Sequence, residues 1–365
     1  MTRPILIAGA GRIGCLIASL LEHSGDYEAH LIDASTSGPQ LQRTKQFFPK
    51  LRTAQLDVTD AKALQTYIRE NGIQAAISSL PYYCNIDVAK VARETNIHYF
   101  DLTEDVNVTA QVREIAAGAN SAFVPQCGLA PGYINMAANS LMTLFDEVES
   151  VQMRVGALPE FANNSLQYAL NWSTDGVINE YGNWCEAIEN GEMIRVKALD
   201  GLELVQLDGC MYEAFNTSGG LGSLPELHAG KVKSMNYKTL RYPGHCEKVR
   251  FLMDDLKLNS DRDTLKRILE RAIPTTMQDV VVVYVSVTGT QEGKYVESNY
   301  LNKVYPQVIA DVEWTAIQVT TASGVCGVMD MIFANEGSFH GYIFQEQFSL
   351  NDFLDNRFGQ HYDMN

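Results

Sequence analysis

The sequence predicts an α/β fold: a doubly wound parallel sheet followed by a second, mixed α/β (α+β) domain. Three observations predict it. Strand-like and helix-like apolar patterns alternate over the first 130 residues, a glycine turn follows the first strand, and the rhythm breaks after Gly132. A chain of 365 residues, 46% hydrophobic and 20% charged, is long enough for two cores and too apolar for a disordered polymer. We divide it into a first α/β domain (1–130), a second domain (131–319) and a C-terminal return to the first domain (320–365).

Ile5–Ala8 is a short apolar run that reads as a strand, and Ile13–Leu21 repeats apolar residues at helical spacing. Ala29–Ile32 is again strand-like, followed by a polar turn at Gly38-Pro39. Ala54–Val58 and Ala75–Ile77 read as buried strands flanking a helix over Ala61–Glu70. A helix at Ile86–Thr95, a strand at His98–Leu102, a helix at Val106–Ala117 and a strand at Ala122–Pro125 complete the series, and repeats of this length pair in parallel. Beyond Gly132, polar segments rich in Gly, Asn and aromatic residues surround the β-branched run Val280–Thr288, a pattern that predicts an antiparallel or mixed sheet with few helices. Val280–Val287 is also where two copies are expected to pair across a two-fold axis. From Thr320 a helical pattern carries Val325, Val328, Met329 and Ile332, and Tyr342–Phe348 with a short helix around Phe353 ends the chain.

Lys and Arg number 28 against 44 Asp and Glu, a net charge of −16 that repels a phosphate backbone, so nucleic acid is not an expected partner. The seven cysteines are scattered, with no C-x-x-C pair and no Cys/His cluster at zinc spacing, which predicts reduced thiols in the cytoplasm and no metal. Arg12, with Gly9, Gly11 and Gly14, interrupts the apolar N-terminal run, which therefore reads as strand and turn, not as a signal peptide. The longest uncharged stretch, Ile115–Phe145, is broken by Asn120, Pro125, Gln126, Pro131, Gly132 and Asn135, and no membrane segment is expected.

Gly9-Ala10-Gly11-Arg12-Ile13-Gly14 is G-x-G-x-x-G between a strand and a helix. The first glycine permits the tight turn, the second lets backbone approach a pyrophosphate, and the third lets helix and strand pack closely. Asp33 ends the second strand 19 residues beyond Gly14, where a carboxylate meets an adenosine ribose. A carboxylate about 4 Å from a 2′-phosphate is repelled by roughly 4 kcal/mol per unit charge at an effective dielectric near 20, so NAD is expected over NADP. Asp57, ending the third strand, faces either the adenine or the start of the next helix as its N-cap. Ser78-Ser79-Leu80-Pro81-Tyr82 follows the fourth strand at the sheet's carboxyl edge, where small residues leave room for a nicotinamide ribose.

Four stretches resemble the saccharopine dehydrogenase and lysine 6-dehydrogenase family of amino-acid oxidoreductases: Ser78–Tyr82 with His98-Tyr99-Phe100-Asp101-Leu102; Cys127-Gly128-Leu129-Ala130-Pro131-Gly132; Leu170-Asn171-Trp172-Ser173; and Lys238-Thr239-Leu240-Arg241-Tyr242-Pro243-Gly244-His245. The resemblance implies a Rossmann domain, a mixed second domain inserted before the C-terminal return, and a substrate cleft between them. It implies NAD-dependent oxidation at the C–N bond of a basic amino acid or its conjugate, with chain length and the proline of T-L-R-Y-P-G-H leaning toward lysine 6-dehydrogenase. Substrate contacts are implied for Tyr82, Asp101, Ala130, Pro131, Gly132, Asn216, Arg241 and His245. Carboxynorspermidine dehydrogenase is a related alternative, and a dinucleotide-binding sensor or scaffold without turnover is another.

The residues make chemical sense in their own right. Arg241 offers a planar fork of donors for a substrate carboxylate, with His245 four residues on; the bland alternative is an interface arginine beside a core histidine. Backbone amides of Gly128 to Gly132 border the nicotinamide if the last strand ends at Cys127, which is a catalytic thiol or an inert buried one. Asp101 orients a substrate amine or caps the next helix near Glu104. An alkyl ammonium has a pKa of about 10.4, so losing its proton at pH 7 costs roughly 4 to 5 kcal/mol, and Asp101, Lys238 and His245 are the candidate acceptors.

Overall fold

A computed structural model describes residues 2–363, which fall into two compact units. Residues up to Gly132, Gln307–Trp314 and the segment from Gln318 form the first; Tyr133–Pro306 with Thr315–Ile317 form the second.

In the first unit β1 (Arg3–Ala8), α1 (Arg12–Ser24), β2 (Tyr27–Asp33), α2 (Pro39–Phe47), β3 (Arg52–Gln55), α3 (Ala61–Glu70), β4 (Ala75–Ser78), α4 (Asn85–Thr95), β5 (His98–Asp101), α5 (Val106–Ala116) and β6 (Ala122–Val124) alternate. With the two-residue strand Gly341–Tyr342 beside β6, they make a seven-stranded parallel sheet in the order Gly341–Tyr342, β6, β5, β4, β1, β2, β3. The order reverses between β1 and β4, and the crevice at such a switch point is where open α/β sheets bind ligands. Helices cover the sheet, so β1 and β4 read as unbroken apolar runs instead of alternating. One face sets Leu6, Ala8, Ala76, Tyr99 and Phe123 against Leu64, Val88, Val91 and Val112 of α3, α4 and α5. Two local expectations are corrected. The polar segment after Gly38 forms α2, opened by Pro39 at its first position, and the third strand begins at Arg52, not Ala54. Both are polar and lie toward the sheet edge, where hydrophobic periodicity carries little signal.

The second unit is built from α6 (Tyr133–Met142), β7 (Glu147–Pro159), α7 (Thr174–Gly182), β8 (Cys185–Glu189), β9 (Glu192–Val196), β10 (Glu203–Leu207), β11 (Cys210–Asn216), α8 (Leu224–His228), β12 (Ser234–Arg241), α9 (His245–Arg250), α10 (Arg262–Ala272), β13 (Asp279–Gln291) and β14 (Lys294–Val304). Its eight-stranded sheet runs β10-β11-β12-β7-β13-β14, with β8 and β9 attached at β12. Only the β7–β12 pair is parallel among the described strands of this sheet. The expectation that Val280–Val287 pairs across a two-fold axis is corrected: β13 is an interior strand, hydrogen-bonded to β7 on one side and β14 on the other, with no free edge to offer.

The chain re-enters the first unit at Gln307–Trp314 and again along α11 (Ala316–Ala334), whose first two residues belong to the second. Asp279 opens this helix, accepting from the Ala316 N–H at 2.7 Å and the Ile317 N–H at 3.2 Å while Asn171 Nδ2 donates to it at 3.2 Å. By length and composition α11 resembles a membrane span, yet 83% of its apolar window is buried inside the protein, as in a core helix.

Candidate functional site

The glycine turn is set by three contacts. Gly9, at φ +105°, is held by its N–H to the Ile32 carbonyl at 2.8 Å. Ser79 lies behind it, its hydroxyl 3.0 Å from both the Ala8 and Gly9 carbonyls. A Cβ on Gly14 would fall 1.8 Å from the Gly9 carbonyl oxygen and 2.7 Å from Ser79 Oγ, so helix and strand meet only because position 14 lacks one. Gly11 differs: a Cβ there would meet nothing within 4 Å, and no side chain caps the N-terminus of α1 that it opens. Open space over uncapped helix amides, with Arg12 and Ile13 starting the helix, suits a dianionic pyrophosphate. Asp33 is pinned beside this ledge, Oδ2 accepting from Ala10 N–H at 2.8 Å and Oδ1 from Ser35 N–H at 2.9 Å.

The other residues expected on the cofactor side follow the strand ends. Ser78 is buried and donates to Asn85 Oδ1 at 2.7 Å; Leu80 packs by Gly9, and exposed Pro81 precedes a single helical turn, Tyr82–Cys84. Asp57 is not a helix cap: it accepts from Thr59 N–H and Thr59 Oγ1 at 2.9 and 2.8 Å, which holds its carboxyl below the usual range, while Asp60 caps α3. The Gly128 N–H is spent on the Pro131 carbonyl at 3.2 Å, so it is not a free donor, and Gly132 (φ +133°) closes the same loop against the Gly128 carbonyl. Ala130 is half-buried and Pro131 buried.

Asp101 and Cys127 are brought together. Asp101 is fully buried, and Oδ1 accepts from Thr103 N–H at 2.9 Å and Gln126 N–H at 3.1 Å. Its Oδ2 accepts from the Tyr99 hydroxyl at 2.8 Å. Burial pushes the Asp101 carboxyl up to about 6, the three donors pulling the other way. It does not cap the next helix; Asp105 does. Cys127 donates its N–H to the Asp101 carbonyl at 2.8 Å, and burial pushes its thiol far above neutrality, so a thiolate nucleophile is excluded at pH 7.

The motif Lys238–His245 is divided by the strand it sits on. Lys238 and Arg241 are three residues apart in β12 and therefore point to opposite faces of the sheet. Lys238 shares its face with Asn216, its cross-strand neighbour, and donates to Glu203 Oε2 at 2.7 Å and the Gly201 carbonyl at 2.6 Å; Glu203 also binds the buried Arg154. Asn216 packs against Gly201. On the opposite face Arg241 Nε donates to Tyr181 Oη at 2.8 Å and Nη1 to the Leu240 carbonyl at 2.8 Å, with its guanidinium 4.9 Å above the Tyr168 ring. Among the described residues no hydrogen-bond acceptor meets Nη2. The Tyr181 hydroxyl donates to His245 Nε2 at 3.0 Å, and His245 Nδ1–H donates to the Leu166 carbonyl at 2.7 Å. Burial and then the Arg241 charge push His245 down to about 3. The candidate bases are corrected accordingly: Lys238 is an ion-paired cation away from Arg241, and His245 is a neutral core imidazole with both nitrogens engaged.

Glu213, which carries no local motif, pairs opposite Arg241 on the neighbouring strand and accepts from Gly244 N–H at 2.8 Å and from Cys246 N–H, fixing the turn into α9. Tyr99 was legible in principle, two residues before Asp101 and so on the same strand face; Tyr181 arrives from a distant helix with no local signal.

A parallel sheet with a glycine turn at its switch point and an acid ending β2 defines a dinucleotide-binding type of domain. The chain belongs to the saccharopine dehydrogenase family: the family's NADP-binding domain matches residues 5–124 and its C-terminal domain residues 128–356. The sequence is 28% identical to alpha-aminoadipic semialdehyde synthase of Arabidopsis thaliana over 46% of this chain and 16% of that protein. It is 25% identical to the NADP(+), L-glutamate-forming saccharopine dehydrogenase of Saccharomyces cerevisiae over 58% of this chain and 49% of that one. The chain thus spans less than half the length of these curated relatives. The fold matches apo saccharopine dehydrogenase (L-Glu forming) from Saccharomyces cerevisiae with a TM-score of 0.77 at 17% identity, over 96% of each chain. It matches homospermidine synthase from Legionella pneumophila in complex with NAD with a TM-score of 0.67 at 11% identity, over 99% of this chain and 90% of that one.

Proposed function

We propose that this protein uses NAD to oxidise the C–N bond of a basic amino acid carried as a secondary-amine conjugate, with saccharopine the leading substrate. The observation that carries the reading is the open ledge over Gly11 with the Asp33 carboxylate fixed beside it by Ala10 and Ser35. Gly9 to Gly14 would hold the pyrophosphate and Asp33 the adenosine ribose, and repulsion of a 2′-phosphate by Asp33 supports NAD over NADP. The bound nicotinamide supplies a hydride acceptor.

This chain's residues supply the remainder. Oxidation begins with a neutral amine, and Asp101, whose carboxyl titrates at about 6, is the proton acceptor matched to neutral pH. Arg241, locked by Tyr181 and with Nη2 unmatched, is the contact for a substrate carboxylate. The names of the curated relatives favour saccharopine over lysine: hydrolysis of the imine would release an amino acid beside the carbonyl product from saccharopine, and ammonia beside the semialdehyde from lysine. The test is NADH or NADPH formation, followed by absorbance at alkaline pH, with saccharopine and lysine offered separately to each cofactor. A rate with saccharopine and NAD supports the reading, and a rate with lysine alone moves it to the lysine 6-dehydrogenase branch. NADP preference refutes the Asp33 argument. Silence with both amines, despite NAD binding, transfers the assignment to polyamine conjugates or to a non-catalytic binding role.

A further inference from the structure

The Tyr99 hydroxyl stands between two acceptors. It lies 2.8 Å from Asp101 Oδ2 and 3.3 Å from the Asn85 carbonyl, and all three groups are buried. A phenol carries one proton and two lone pairs, so it donates to one acceptor at a time while accepting from a third group. When Asp101 is ionised, the Tyr99 proton points to Oδ2. Oδ1 keeps the Thr103 and Gln126 amides in either state, so an arriving proton settles on Oδ2. The Asp101 acid then donates to the Tyr99 oxygen, and the Tyr99 O–H rotates to the Asn85 carbonyl. No buried donor or acceptor is orphaned in either state, a change that otherwise costs as much as burying an unpaired polar group.

We propose that Tyr99 is a positioning residue whose rotating hydroxyl lets Asp101 take up and release one proton inside the core without rearrangement. The inference rests on the reading of Asp101 as the proton acceptor. The balance is simple: one O–H bond forms at Oδ2 when the proton arrives from amine or water and breaks when it leaves, and the tyrosine proton stays on Tyr99. The neighbours are fixed for this. Asn85 is held by Ser78 Oγ at 2.7 Å, and Ser78 lies beside Asp101 in the β4–β5 register. The titratable groups facing the carboxylate are Tyr99 from its own strand and the neutral Cys127 thiol from the segment after β6; Ser78 and Asn85 carry no charge.

Tyr99→Phe removes the hydroxyl and keeps the ring, which stacks on Phe123 at 5.6 Å. Two readouts on the NAD-loaded enzyme test the proposal: the acidic limb of the kcat/KM profile, and a titration of the buried carboxyl stretch by difference infrared spectroscopy, assigned with Asp101→Asn. The hydroxyl favours the ionised carboxylate, so its loss shifts both midpoints upward by about one to two pH units, making kcat/KM roughly ten- to hundred-fold lower at a pH below the limb, with recovery above it. An unmoved infrared midpoint in Tyr99→Phe overturns the proposal whatever the kinetics do. A moved infrared midpoint, with Asp101→Asn still fully active, upholds the hydroxyl's role and overturns the reading of Asp101 as proton acceptor.

Discussion

Gly11 and Gly14 stand three residues apart in one turn, and the same substitution at each has opposite consequences. At Gly14 an added methyl would lie 1.8 Å from the Gly9 carbonyl oxygen, more than about 1 Å inside the closest approach that carbon and oxygen tolerate, and the obstacle is backbone, which cannot swing aside. Gly14→Ala therefore belongs at the upper end of the roughly 1–3 kcal/mol typical of overpacking. At about 2–4 °C per kcal/mol, the Rossmann unit should melt roughly 6–12 °C lower. At Gly11 the methyl meets nothing, and φ of −75° suits alanine, so stability should stay within about 1 kcal/mol of the parent. The methyl nevertheless occupies the ledge assigned to the pyrophosphate, and NAD affinity should fall at least about ten-fold, equivalent to 1.4 kcal/mol. Thermal melts and NADH fluorescence titrations of both variants measure the two quantities separately. A Gly11→Ala protein that binds NAD like the parent would refute the reasoning, as would one that melts as early as Gly14→Ala.

Three further outcomes are expected. Burial raises the Asp101 carboxyl from 3.8 to about 6, so the folded state holds that proton more tightly than the unfolded one; its stability is full below pH 3.8 and declines as pH rises to 6, by about 3 kcal/mol. Asp101→Asn cannot ionise, so denaturant midpoints should show the variant gaining on the parent between pH 4 and 7, and parallel curves would contradict this. Lys238→Met loses an ion pair on the sheet face opposite Arg241, so it should cost about 1–2 kcal/mol of stability while kcat stays within roughly two-fold; a collapse in kcat at unchanged stability would return Lys238 to the catalytic set. His245, pushed down to about 3, should show an imidazole NMR signal that does not move between pH 5 and 8, with the proton on Nδ1.

What was legible in the sequence and what was not divides along covalent distance. The glycine turn and Asp33 are properties of neighbouring residues on one β-α-β unit, and spacing alone placed them. That Ser79 braces the turn depends on β4 lying against β1, a register that no local pattern encodes. Lys238 and Arg241 failed in an instructive way: read as one motif they look like one site, but they lie on a strand, and an odd spacing on a strand separates faces. The strand assignment itself was obscured, because β12 is paired on both sides and its buried residues do not alternate cleanly. β13 misled for the same reason: a β-branched run looks the same at an edge and in the interior, and only the partners Leu301 and Arg154 on either side of Tyr284 decide.

Two buried tyrosine contacts bear on the roles proposed for Asp101 and Arg241. Tyr99 and Tyr181 each hold a buried ionisable partner at hydrogen-bond distance, Asp101 at 2.8 Å and His245 at 3.0 Å. Burial disfavours the charged form of both, raising an acid and lowering a base. What differs is the company. Asp101 receives three donors, all favouring its charged form, which bring a deeply buried carboxyl back to about 6, within reach of physiological pH. His245 sits beside the Arg241 guanidinium, which adds to burial and carries the imidazole to about 3, beyond use as a base. The same arginine gains from the arrangement, because a neutral histidine puts no like charge beside it, while Tyr181, Tyr168 and Glu180 all favour its charged form. In the proposed function, a cation kept charged beside a base kept silent would serve anion recognition, and an acid poised near neutrality would serve proton transfer. Swapping the two roles would require an acceptor beside a fixed positive charge, where its proton affinity is lowest.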